Sequence, residues 1–163
     1  SMGATMATYG GQNAGGYKLE RLHKGLGSCI ILGAVYSVIG LLIIAAFGPH
    51  LLKLFVSGSE TGILADAQHF LLINGLFYFP LALVNIVRFM IQGMGFGFFA
   101  IIAGVLEMAA RTLVGAVFVP IFGYNAACFA SPLAWIFADC FLIPAYFVVW
   151  NRMKRHKEAY RQV

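Results

Sequence analysis

Glu107, Asp139, Arg88 and Arg111 stand inside stretches of chain that are otherwise almost wholly apolar. A charge held away from water is costly, and it is kept where it can exchange a proton, bind an ion or answer another charge. Glu107 and Arg111 are four residues apart, on adjacent turns of one helix face, so each can neutralise the other. Two readings of that pair stay open: an ion pair that fixes the rotation of its helix, or one wall of a substrate or ion pathway. Asp139 has no partner within its own segment, which points to a titrating or gating role over a plain hydrogen bond between helices.

The spacing around these charges gives each segment two faces. In the run from Gly97 to Pro120, Ala100, Ala103, Gly104, Glu107, Arg111 and Gly115 share one side at about 100° per residue, with Ile102, Val105, Leu106, Ala109 and Leu113 opposite. The first side suits protein and the second lipid. In the preceding segment Asn74, Tyr78, Asn85, Arg88 and Gln92 form a stripe about 80° wide. Such amides bond between helices or line a site. In the last segment Cys128, Ser131, Pro132, Trp135, Asp139 and Tyr146 fall within about 100° of one another. Glu107 and Asp139 each lie about ten residues from the inner end of their segment, roughly 15 Å deep, so the two carboxylates fit one layer. Arg111 is one turn further out, and Arg88 is expected near the inner interface with its side chain snorkelling to water.

Other chemistries find little support. Asp66 and His69 are three apart, but two ligands do not make a metal site. His23 and His156 belong to basic flanks, while His50 and His69 sit at the outer interface. Gly93-Met94-Gly95 lacks the following lysine and the preceding strand of a phosphate loop, and no Ser, His and Asp arrangement is defensible as catalytic. Cys29, Cys128 and Cys140 are odd in number and unpaired in spacing, and read as small buried hydrophobes. Neither an enzyme nor a resident metal or cofactor is expected.

The composition sets the class. Hydrophobic residues make up 61% of the 163, charged residues 10%, against about 25% charged in soluble domains. Mean hydropathy is +0.85. This is the balance of an integral membrane protein, with the lipid bilayer as its first partner. The net charge of +5 does not imply nucleic acid, because Lys18, Arg21, Lys24, Arg152, Lys154, Arg155, Lys157 and Arg161 flank apolar segments as the positive-inside rule expects.

These elements position the charges. Ser1 to Thr8 read as the tail of a helix begun upstream, so the chain is expected to be a fragment. Tyr9 to Tyr17, with Gly10, Gly11, Gly15 and Gly16, predicts a helix-breaking tight loop. A first span over 25–48 carries Gly33, Ser37 and Gly40 on one face, a pattern that lets helices approach closely. Pro49 and Ser57 to Gly62 form an outer loop, with Leu51 to Val56 as a short interfacial helix. A second span over 66–92 is kinked at Pro80, a third covers 97–120, and 121–125 turns outside. A fourth span over 126–149 precedes a basic cytoplasmic tail over 150–163 anchored by Trp150. The expected fold is an all-α polytopic bundle of four complete transmembrane helices plus the end of a preceding one.

From Gly3-Ala4-Thr5 through Gly10-Gly11-Gln12-Asn13-Ala14-Gly15 the sequence resembles the multidrug and toxic compound extrusion (MATE) family, with the basic stretch Lys18 to Lys24 following as it does there. Gln92-Gly93-Met94-Gly95, the helix with Glu107 and Arg111, and Asn125 to Pro144 with Ala134-Trp135 extend the likeness over essentially the whole chain. The resemblance implies two lobes of six helices, of which this chain covers the end of the eighth helix through the twelfth. It implies a missing amino-terminal lobe as partner and export of small organic compounds in exchange for sodium ions or protons by alternating access. Gly11, Gln12, Asn13 and Gly15 are then the family-motif loop. Gly16 stands where the family often has alanine. The second span offers Asn85 and Arg88 where some sodium-coupled members have an acid, so the coupling ion stays open. A related lipid-linked saccharide flippase, for which Arg88 and Arg111 speak, and a non-transporting four-helix scaffold are the alternatives.

Overall fold

Long apolar runs without interior turn residues fold as helices, because in lipid each backbone N–H and C=O must be satisfied within its own segment. The computed structural model describes residues 2–55 and 61–160, and no strand occurs among them. The helices are α1 (Met2–Gly15), α2 (Leu19–Leu52), α3 (Thr61–Leu76), α4 (Tyr78–Gly93), α5 (Gly97–Leu113), α6 (Val119–Phe122) and α7 (Tyr124–Tyr160). A π-helical turn, Val114–Phe118, joins α5 to α6. Three helical stretches, 19–52, 97–122 and 124–158, are long and apolar enough to cross a membrane. The bent pair α3 and α4 passes the same test together, at an angle of 51°. The fold is therefore the expected all-helical polytopic bundle.

α4 is the centre of it. Val84, Ile86, Val87, Met90 and Ile91 are buried on several sides of this one helix, which packs against α1, α2, α5 and α7. Lipid is as apolar as these side chains, so close packing holds the helices together. The small residues of α2 serve that purpose: a Cβ on Gly33 would lie 2.9 Å from Ile86, and one on Gly40 3.3 Å from Tyr78.

Several boundaries differ from those read in the sequence. The glycines of Tyr9–Tyr17 do not break the chain. α1 runs through Gly15, and the turn is confined to residues 16–18, with Tyr17 at φ 49°. Gly10 and Gly11 instead let α1 lie against the backbone of α4, since a Cβ on either would come within 3.0 and 3.2 Å of the Met90 and Gly93 carbonyls. α2 is longer than 25–48 at both ends. It includes Pro49 and stops at Leu52, a turn after that residue removes a helical N–H. The short interfacial helix from Leu51 is absent over the described residues, where Lys53 to Phe55 form turns, and Val56 to Glu60 lie outside them. Thr61 and Gly62 already belong to α3.

The second span breaks at Phe77, and Pro80 occupies the first turn of α4, where its missing N–H costs nothing. Pro120 is likewise in the first turn of α6. Its ring crowds the carbonyl of the preceding turn, which widens so that the Val119 N–H donates to Val114 O. The basic tail continues α7 as helix through residue 160, and Arg161 lies outside the described residues. The turns at 16–18 and 94–96 and the basic end of α7 share one end of the bundle, which fixes the chain's up-and-down course.

Candidate functional site

Three helices deliver the charges to one place. α5 packs against both α4 and α7, and α4 against α7, so Arg88, Glu107 and Asp139 come from mutually adjacent elements. Arg88 Nη2 donates to Glu107 Oε2 at 2.6 Å, and Arg111 Nη2 donates to Glu107 Oε1 at 2.6 Å. One carboxylate thus serves two guanidiniums, one oxygen each, with charge-assisted bonds at the short end of their range. The Glu107 and Arg88 side chains are 17% and 21% exposed, whereas Arg111 is 46% exposed. The pair between α4 and α5 is therefore the withdrawn one, and the pair within α5 is its open flank.

Arg88 does not snorkel to the inner interface. Its side chain turns into the bundle, because Glu107 offers a full negative charge that water at the interface does not outbid in a low-dielectric layer. Asp139 is 7% exposed, on the helix that packs against both α4 and α5. Neither Asp139 Oδ1 nor Arg88 Nε has a hydrogen-bond partner, although both are buried. A buried polar atom without a partner costs about 1–3 kcal/mol. Here an unused acceptor on α7 and an unused donor on α4 belong to two helices that pack against each other. Seven residues on from Asp139, the Tyr146 hydroxyl is also buried and unpartnered.

The remaining residues of the polar stripes are placed apart. Asn85 Nδ2 donates to Leu81 O at 2.8 Å and Asn74 Nδ2 to Phe70 O at 2.9 Å, so both amide donors bond back to their own helices. Tyr78 lines an apolar cleft of about 590 Å³ with Tyr36, Gly40 and Leu81, about 15 Å along α4 from Arg88. Gln92 is exposed at the end of α4. In the motif segment, Asn13 is buried and donates to Tyr9 O at 2.9 Å, and its own carbonyl accepts from the Lys18 N–H at 2.9 Å. Gly11 and Gly15 line a cleft of about 320 Å³ with Gly93, Gly95 and Met153, while Gln12 is exposed. On α7, Cys128, Pro132, Trp135, Asp139 and Tyr146 of the shared arc are buried, and Ser131 is half-buried.

His23 packs against α7 aromatics, 6.4 Å from Tyr146 and 5.3 Å from Trp150 between ring centroids. Its place in a basic flank gave no hint of this. The only available signal was the four-residue spacing of Tyr146 and Trp150, which puts two rings on one face. At the opposite end His69 Nε2 lies 3.2 Å from Asn125 Oδ1, and the Tyr124 hydroxyl donates to Asp66 O at 2.8 Å. His69 and Asp66 thus tie α3 to α7. Among the described residues no group of three metal-ligating side chains occurs.

Fold and site together define a polytopic α-helical membrane protein with a charged layer inside its bundle. A family model described as MatE matches residues 1–120. The chain belongs to the MatE family, which is a family of membrane transporters. Arg88, Glu107 and Arg111 lie within the matched residues, and Asp139 lies beyond them. Nothing matches among curated proteins or among solved structures.

Proposed function

We propose that this chain is part of the carboxy-terminal lobe of a secondary active antiporter, which exports organic compounds across the plasma membrane in exchange for sodium ions or protons by alternating access. The observation that carries the reading is the buried, unpartnered carboxylate oxygen of Asp139 on α7, with the unpartnered Nε of Arg88 on α4, the helix packed against it. A proton or sodium ion arriving at Asp139 removes the charge that Arg88 answers. Arg88 keeps its bond to Glu107, and the electrostatic attraction between α4 and α7 weakens. Moving a two-state equilibrium from 1:99 to 99:1 takes about 5.5 kcal/mol. Neutralising one buried carboxylate contributes to such a bias in a rocking motion between lobes.

The same cluster argues against the alternatives. Its two guanidiniums and two carboxylates cancel in formal charge, and both guanidiniums bond Glu107, so no excess positive charge remains to draw an anionic lipid-linked saccharide. A mere scaffold gains nothing from buried groups left unpartnered at about 1–3 kcal/mol each. The basic residues at the α1–α2 turn and the end of α7 favour a cytoplasmic carboxy terminus.

The test is efflux of a fluorescent organic cation from proteoliposomes holding the full-length protein, under imposed proton or sodium gradients. Efflux driven by one gradient is expected. Efflux indifferent to both, from protein shown to be folded, contradicts the reading.

A further inference from the structure

α7 remains helical well beyond its apolar part, and that extension has a face of its own. Val148, Asn151, Arg152, Arg155 and His156 follow spacings of three, one, three and one, the pattern of a single helix stripe. They line an open cleft of about 630 Å³. From Val148 to His156 the helix rises about 12 Å, enough to pass from the edge of the hydrocarbon through a headgroup layer roughly 5–8 Å thick. The stripe changes character over that rise. Val148 and its neighbour Phe147 are exposed apolar groups at its upper edge, and Arg152 and Arg155 follow one and two turns below.

The arginines are poised for an anion from outside the bundle. Among the described residues, the ion pairs all involve Glu107, so no carboxylate answers Arg152 or Arg155. The Arg152 guanidinium is held 5.6 Å from the centroid of the Phe96 ring, which limits its freedom before any ligand arrives. Guanidinium forks match phosphate oxygens in geometry as well as charge, and Asn151 and His156 supply further polar atoms. A second basic cleft at the same end, formed with Lys18, Arg21 and Lys157, contains Glu20 and so carries its own counter-charge.

We propose that the Val148–His156 face of α7 is a binding site for an anionic phospholipid, with the phosphodiester between Arg152 and Arg155 and an acyl chain along Phe147 and Val148. Charge complementarity selects the headgroup, and the exposed apolar edge selects a lipid over a soluble phosphate. The site is independent of the transport reading, since it shares no residue with the charged layer.

Full-length protein in detergent, titrated with phosphatidylglycerol or phosphatidylcholine of matched acyl chains and read by native mass spectrometry, provides the test. Phosphatidylglycerol is expected to be retained preferentially. The R152Q/R155Q variant is expected to lose about thirtyfold in that retention, at roughly fivefold for each charge near an anionic lipid. The K18Q/R21Q variant should stay within about twofold of the parent, because diffuse attraction alone would treat the two basic pairs alike. V148W, which keeps every charge and blocks the apolar edge, should also weaken phosphatidylglycerol binding, and it carries the test if the double arginine variant does not fold. Equal loss in K18Q/R21Q, undiminished retention in V148W or in a folded R152Q/R155Q variant, or displacement of the lipid by millimolar inorganic phosphate would each overturn the proposal.

Discussion

Arg88 Nη2 and Glu107 Oε2 close an ion pair at 2.6 Å between α4 and α5, and the second oxygen of the same carboxylate accepts from Arg111. Glu107 is the shared member, so removing it strands two guanidiniums. Removing either arginine leaves the other in place. In stability measurements on the purified protein, E107Q should cost about 3–5 kcal/mol and R88Q nearly as much, as expected when one member of a withdrawn pair is lost. R111Q, at the half-exposed flank, should cost about 1 kcal/mol or less. Replacing Glu107 and Arg88 together should be tolerated better than E107Q alone, and an additive double variant would mean that the two do not interact.

Close approach of α1 to α4 depends on glycine at particular positions. A Cβ on Gly93 would meet the backbone carbonyl of Ala7, which cannot swing aside as a side chain can. G93A should therefore destabilise the protein by roughly 2–4 kcal/mol or prevent its assembly. Gly104 has open space where a Cβ would go, so G104A should be neutral or stabilising by up to about 1 kcal/mol, through the lower helix propensity of glycine. Thermal unfolding of both variants in detergent separates the two outcomes.

The sequence made the faces of α7 legible but not the reach of Arg88. Cys128, Pro132, Trp135, Asp139 and Tyr146 shared an arc, and rotation relative to lipid follows from such spacing alone. Which helix that arc meets does not, because periodicity says nothing of neighbours. Arg88 was expected at the interface for that reason: its distance from Glu107 in space exists only once α4 and α5 are packed. Gly10 and Gly11 misled in another way. Glycine both breaks helices and lets helices touch, and only the presence of α4 decides between those roles. Pro80 announced a kink correctly, yet the break falls three residues earlier, since a proline disturbs the turn before it.

The tie between α3 and α7 at the far end of the bundle should be modest and separable from transport. Y124F removes the hydroxyl that donates to Asp66 O at 2.8 Å, an exposed bond. The expected cost is about 0.5–1.5 kcal/mol in unfolding experiments, with efflux unchanged. A large loss of efflux in folded Y124F protein would place this tie in the transport cycle.

Asp139 bears the central claim, and gradient-driven efflux from proteoliposomes carrying the full-length protein tests it most directly. D139N keeps the shape of the side chain and removes its ability to ionise. The account predicts a folded variant whose gradient-driven efflux falls at least about tenfold, equivalent to roughly 1.4 kcal/mol of lost coupling, with the remainder no longer responding to pH or sodium. Efflux by D139N that still follows the imposed gradient as in the parent protein would contradict the assignment of Asp139 as the coupling group.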